Sequence, residues 1–212
     1  SKMVFKMTIR NKMLLSFLCC LSLLTQCKKD NGIVMSPCNS GNQSGSKIGG
    51  VSFVAPVNPI DSTAIIPIKS VNGSWVSLIP FAFTQQGSPN LTYNINGQWW
   101  GENKTGIIVC TQLAKAQGIK VMLKPQVWIG GGIYTGDFAL TSETDWKTFE
   151  QKYEGYIIYM AELADSLNIE MLCIGTEFET FVQNRPAFWS GLVDSVRKVY
   201  SGKLTYADNW DS

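Results

Sequence analysis

A glutamate placed directly behind a buried apolar run is the most chemically suggestive feature of this sequence. In IEMLCIGTEFETF, residues 169–181, no turn-forming polar cluster separates Met171, Leu172, Cys173 and Ile174 from Gly175, Thr176 and Glu177. Alternate residues of a strand share a face, so Glu177 falls in phase with Met171, Cys173 and Gly175 if the extended conformation persists to it. It would then stand at the C-terminal end of a strand. A carboxyl flanked by apolar residues at such a position can serve as a general acid near neutral pH. The competing reading is a solvated or helix-capping glutamate. Glu179, two residues on, is a second candidate, expected rather to be a loop group or one supporting the site from behind.

Other strand ends repeat this pattern of polar and aromatic residues. In KVMLKPQVWI the residues Lys120, Met122, Lys124, Gln126 and Trp128 share a phase, which gathers Lys124, Gln126 and Trp128 at the C-terminal end. Pro125 is awkward in a central strand, because it has no N–H for the ladder, and is tolerable only where pairing ends or bulges. YADNWD offers Tyr206, Asp208, Asn209 and Trp210, and GQWWGEN adds Trp99 and Trp100 before a helix. Aromatic faces that stack on sugar rings, beside amides and acids that bond hydroxyls, would suit a carbohydrate cleft. Tryptophan is equally at home in a core.

The chain contains no histidine. Within these residues Ser-His-Asp and Cys-His nucleophile pairs and His-containing zinc sites are thereby excluded, which leaves carboxylate, Lys or Tyr chemistry. The six cysteines show neither a disulfide framework nor a CxxC metal site. Cys110 and Cys173 sit in apolar patterns and read as inert core residues.

The elements that must position these groups alternate. IGGVSFVAP and WVSLIPFAF read as strands, with a poorly defined crossover between them. NKTGIIVCTQLAKAQG reads as a helix stopped at Gly118, and KVMLKPQVWI as the next strand. In ETDWKTFEQKYEGYIIYMAELADSLN the residues Trp146, Phe149, Tyr153, Ile157, Met160, Ala164 and Leu167 recur at helical spacing, with Ser142 or Thr144 as N-cap. The IEMLCIGTE strand, a helix AFWSGLVDSVRKVYSG and a strand LTYADNW complete the order. Such alternation signals an α/β fold with a parallel sheet, either an open doubly wound sheet or the first part of a (β/α)8 barrel. GGGIYTG lacks GxGxxG spacing and no P-loop motif occurs, so the barrel is preferred. A barrel needs about 250 residues and eight strands. The expectation is therefore the first five or so strands of a TIM barrel, cut after the fifth.

Lys2, Lys6, Arg10 and Lys12 precede the apolar run MLLSFLCCLSLL, which reads as a secretory signal over residues 1–26. LTQC looks like a bacterial lipoprotein processing site, with Cys27 as the lipidated residue and Gln26 replacing the usual small residue. Residues 27–46, polar and rich in Ser, Asn and Gly, are expected to tether a domain over 47–212, with Cys38 in the tether. A cell-envelope location is then expected, or secretion if Cys27 carries no lipid. The composition, 45% hydrophobic and 16% charged, is that of a globular chain. A net charge of +2 offers no electrostatic case for a nucleic-acid partner.

VMLKPQVWI, YEGYIIYMAELAD, EMLCIGTEFE, FWSGLVDSVRKVYSGKLTYADNWD and QWWGE together resemble glycoside hydrolase family 113, the β-mannanase family of clan A. The resemblance runs over most of Gly49 to Asp211, and its most specific pieces are Ile-Gly-Thr-Glu and Leu-Thr-Tyr-Ala-x-Asn-Trp. It implies a TIM barrel and a retaining mechanism with Glu177 as the acid/base. The nucleophile would be a Glu at the end of a later strand, absent from this sequence, about 5–5.5 Å from Glu177. Thr176 stands where many clan members carry Asn. The resemblance further implies that Lys124, Trp128, Asn209, Trp210 and Trp100 bind a β-1,4-mannan or related β-glycan, with no metal or organic cofactor. A carbohydrate-binding lipoprotein without catalysis, and an α/β lipoprotein complete at 212 residues, are the alternatives.

Overall fold

The computed structural model describes residues 48–209. The expected signal, the tether, Cys27, Cys38 and Trp210 lie outside the described residues. The first strand, β1 (Gly50–Val54), leads into the crossover that has no clear pattern in the sequence. Asp61 caps a short turn over Ser62–Ala64 by accepting the Thr63 N–H at 2.8 Å, and α1 (Ile66–Ser70) comes next, burying Ile65 and Ile68.

WVSLIPFAF is two strands, β2 (Trp75–Ile79) and β3 (Phe81–Thr84), divided at Pro80. The helix α2 (Lys104–Ala116) starts on Asn103, whose side chain accepts the Gly106 N–H at 3.0 Å, and ends before Gly118, which takes φ +71°. KVMLKPQVWI divides in the same way, into β4 (Lys120–Leu123) and β5 (Gln126–Ile129), around Lys124 and Pro125. A proline has no N–H for the ladder. Its neighbours keep the register across the gap, with Leu78 opposite Leu123 before it and Phe81 opposite Gln126 after it.

The long helix α3 (Glu143–Ser166) is capped by Ser142, which accepts the Asp145 N–H at 3.0 Å. Its buried face runs through Trp146, Phe149, Tyr153, Ile157, Met160 and Ala164, which the helical spacing predicts, and also Tyr156, which it does not; Leu167, expected to continue the stripe, is the half-buried C-cap. Each fully buried large apolar side chain contributes about 1.5–3 kcal/mol. Next come β6 (Met171–Thr176), α4 (Glu179–Asn184), α5 (Pro186–Arg197) and β7 (Lys203–Ala207). The short α4 carries no readable periodicity of its own, and α5 starts with Pro186 in its first turn, where a missing N–H costs nothing.

The main sheet has the order β1-β2-β4-β6-β7, every pair parallel. That order decides between the two architectures. A doubly wound sheet reverses direction so that helices cover both faces. Here each strand is added on the same side as the last, and with right-handed crossovers all the helices fall on one face. The described residues thus form part of a (β/α)8 barrel. β3 and β5 pair as an extension of the sheet above the proline breaks.

Candidate active site

Glu177 comes directly after the last residue of β6 and has φ +53°, the left-handed region. The extended conformation therefore stops one residue short of it, contrary to the phase argument. Alternation also fails earlier, because the β6–β7 register shifts between Cys173 and Thr176. Cys173 Sγ lies 4.0 Å from Thr176 Oγ1, so these residues share a side, whereas a Cβ on Gly175 would meet Trp189 and Tyr206 ring atoms at 2.6 Å. A bulge moves Gly175 under two rings and re-aims Thr176 and Glu177.

A left-handed glutamate costs about 1–3 kcal/mol and persists only where its surroundings over-determine it. Two hydrogen bonds to β7 do so: Glu177 N–H donates to the Ala207 carbonyl at 2.9 Å, and Phe178 N–H to the Tyr206 hydroxyl at 2.8 Å. Behind them Phe178 and Phe181 are buried among Phe149, Tyr153 and Trp189, with ring centroids 5.1–6.4 Å apart. Arg185, between α4 and α5, fastens the segment to α3. It donates to Glu150 at 2.5 Å and to both Glu143 oxygens at 2.8 and 3.0 Å, while its guanidinium lies over the Trp146 ring. These bonds hold the Glu143 carboxyl below its ordinary value and raise the Arg185 guanidinium above its own. Glu177 itself is half-buried, and Glu179, expected in a loop, is instead the exposed first residue of α4, accepting from Gln183 one turn on.

Lys124 is half-buried in the break between β4 and β5, and its charge reaches the Cys173 thiol on the neighbouring strand. Burial pushes that thiol up, against the opposing pull of the Gly175 carbonyl, Thr176 and Lys124, and it pushes Cys110 up to about 11. Both are buried free thiols that remain protonated, in keeping with a core role.

Trp128 is 53% exposed at the end of β5, edge-on to Phe81 at 6.3 Å. The two line a groove of about 220 Å³ with Gln126 and Tyr134. Tyr134 was not among the residues expected from the sequence. Its hydroxyl accepts from Asn209 Nδ2 at 2.5 Å, joining the loop after β5 to the residues after β7. The glycines before Tyr134 were the available signal: Gly131 and Gly132 have φ of +83° and +71°. Trp100, in the segment between β3 and α2, is half-buried against the core, and its backbone N–H donates to the Val57 carbonyl beyond β1. Trp99 is the exposed member of that pair. Glu102, equally unexpected, is a buried acid whose carboxyl burial raises above its ordinary value against a hydrogen bond from Gln98.

A cavity of about 680 Å³ lies at the other end of the sheet, where Trp75, Lys120 and Lys203 begin their strands. Its carboxylate is already committed, since Glu170 accepts the Val121 N–H at 2.9 Å and pairs with Lys115 at 3.4 Å. Glu177, Lys124, Trp128 and Asn209 lie at the C-terminal end of the strands, which in βα barrels is the end where catalysis occurs.

Residues 60–211 match the family model of Glycoside Hydrolase Family 113. No curated protein matches in sequence. Among solved structures the chain is similar to the GH113 β-mannanase AaManA from Alicyclobacillus acidocaldarius in complex with ManMIm. That likeness has a TM-score of 0.66 and 24% identity, over 76% of this chain and 54% of that one. It is also similar to a GH113 β-1,4-mannanase solved as a complex, with a TM-score of 0.67 and 21% identity, over 77% of this chain and 56% of that one. The chain therefore spans just over half the length of the structures it matches.

Proposed function

The chain belongs to glycoside hydrolase family 113, and on that premise we propose that it is part of a retaining glycosidase acting on β-1,4-mannan or a related β-glycan, with Glu177 as the acid/base. The observation that carries this reading is the left-handed Glu177 at the end of a barrel strand, pinned by Ala207 and followed by a peptide pinned by Tyr206. In the first half-reaction Glu177 gives its proton to the glycosidic oxygen as the sugar departs onto a nucleophilic carboxylate. In the second it removes a proton from the water that releases the sugar. That nucleophile belongs to a later strand, about 5–5.5 Å from Glu177.

Trp128 offers a sugar ring an aromatic face, and Asn209 with Tyr134 offers its hydroxyls polar partners. Lys124, half-buried beside β6, supplies a cation for a hydroxyl or for the charge developing in the transition state. Trp100 and Trp210 are the remaining proposed sugar contacts. Delivery to the cell envelope on a lipid at Cys27 belongs to the same proposal, and Cys27→Ser should release the protein from the membrane fraction.

The deciding experiment is Glu177→Gln in the protein expressed from its complete reading frame. Turnover of mannan should fall by about 10²–10⁴-fold, with mannooligosaccharide binding by calorimetry retained. Activity like the wild type's would sink the assignment. The exposed Trp128 and Tyr134 suit a second reading, a carbohydrate-binding lipoprotein without catalysis. Binding without turnover by the wild type would select it.

A further inference from the structure

The backbone at Glu177 is held by two acceptors, and both come from β7. One is a main-chain carbonyl, that of Ala207, which any residue there could supply. The other is a side chain, the Tyr206 hydroxyl, which takes the Phe178 N–H at 2.8 Å. The Tyr206 ring has little freedom to place that oxygen elsewhere. It meets Trp189 edge-on at 5.4 Å and 87°, and a Cβ on Gly175 would sit 2.6 Å from its Cε2. Gly175 therefore leaves space for the ring that presents the hydroxyl.

We infer that Tyr206 is a positioning residue for Glu177, fixing the peptide after the carboxyl in the left-handed turn that aims it at the scissile oxygen. The inference rests on the reading of Glu177 as the general acid. Burial pushes the phenol up to about 12, so the hydroxyl stays neutral across the range in which a glycosidase works. A second tyrosine makes the comparison that a test needs. Tyr153, fully buried on α3, donates to the Ile174 carbonyl at 2.9 Å, on the same strand but ahead of Thr176 and Glu177. Deleting either hydroxyl removes one hydrogen bond to the β6 region. Only Tyr206 bonds a peptide next to Glu177.

A general acid matters in proportion to how poor the leaving group is, because a good leaving group departs without a proton. The signature of a displaced acid is thus a loss on mannan that an aryl β-mannoside with a dinitrophenolate leaving group does not share. In the protein expressed from its complete reading frame, Tyr206→Phe should lower kcat/KM on mannan by about 10–100-fold and leave kcat/KM on the aryl mannoside nearly unchanged. Tyr153→Phe should leave the ratio of the two at the wild-type value. Gly175→Ala, which displaces the ring but keeps the hydroxyl, should reproduce the Tyr206→Phe ratio and stands in for it if that variant does not fold. A wild-type ratio in either variant, or the same ratio in Tyr153→Phe, overturns the inference while the wild type remains an active glycosidase. A wild type inactive on both substrates instead overturns the reading of Glu177, and the inference falls with it.

Discussion

The two ends of the barrel strands use the same backbone conformation for opposite purposes. At the N-terminal end, left-handed residues occur at Asn72 before β2 and Asn168 before β6, and asparagine tolerates that region well. At the C-terminal end Asn94, in the segment after β3, is left-handed as well, but so is Glu177, which has no such tolerance. The charges differ likewise. Below, Glu170 is satisfied by Val121 and Lys115, Arg197 donates to the Gly202 carbonyl, and Lys120 lies over Trp75 at 5.7 Å. Above, Lys124 is half-buried and Trp128 presents more than half its surface to solvent. The named charges of one end find partners within the chain; the other end carries a strained glutamate and an exposed tryptophan.

The sharpest way to break this contrast is Glu177→Gly. It should abolish mannan turnover, yet glycine adopts φ +53° freely, so the variant should unfold at equal or higher urea, by about 0.5–1 kcal/mol. A clear loss of stability would mean that Glu177 is structural and the two ends are alike. Gly175→Ala comes next. Its Cβ would lie 2.6 Å from the Trp189 and Tyr206 rings, and the repacking should cost about 1–3 kcal/mol in urea unfolding.

Trp128→Ala and Glu170→Ala form a matched pair, one at each end. The first should weaken mannooligosaccharide binding by about 1–3 kcal/mol, the scale of a hot-spot aromatic, with the melting temperature unchanged. The second should cost about 0.5–1.5 kcal/mol of stability by freeing the Val121 N–H, with binding unchanged. Crossed outcomes would erase the distinction.

The smallest effect is in the pH dependence of stability. Glu143 is lowered by Arg185, so its contribution is present above its ordinary value of 4.5 and is lost as pH falls through its folded value. Glu102 is raised by burial and acts in reverse, reducing stability as pH rises from 4.5 toward its folded value. Arg185→Met should flatten the first slope and Glu102→Gln the second, both measured by urea midpoints across about pH 3–7.

Much of the scaffold was legible because it is local. Ser142 and Gly118 end their helices through their own side-chain and backbone chemistry, and the α3 stripe arises from 3.6-residue geometry alone. The position of Glu177 behind an apolar strand was legible for the same reason. Its conformation was not, because the bulge between Cys173 and Thr176 breaks the two-residue period on which the phase argument depended. Tyr134 and Asn209 lie 75 residues apart, and no local pattern links them.

The sequence by itself determined the alternation of strands and helices, the caps, the lack of histidine chemistry and the glutamate at a strand's end, since each depends on residue type and near neighbours. Only the tertiary structure decided that the strands add in one direction, that Pro80 and Pro125 split two strands without changing their register, and that Tyr206 holds the peptide beyond Glu177. Those outcomes turn on which distant backbone groups find one another once the helices pack on a single face, and that pairing is a property of the assembled sheet.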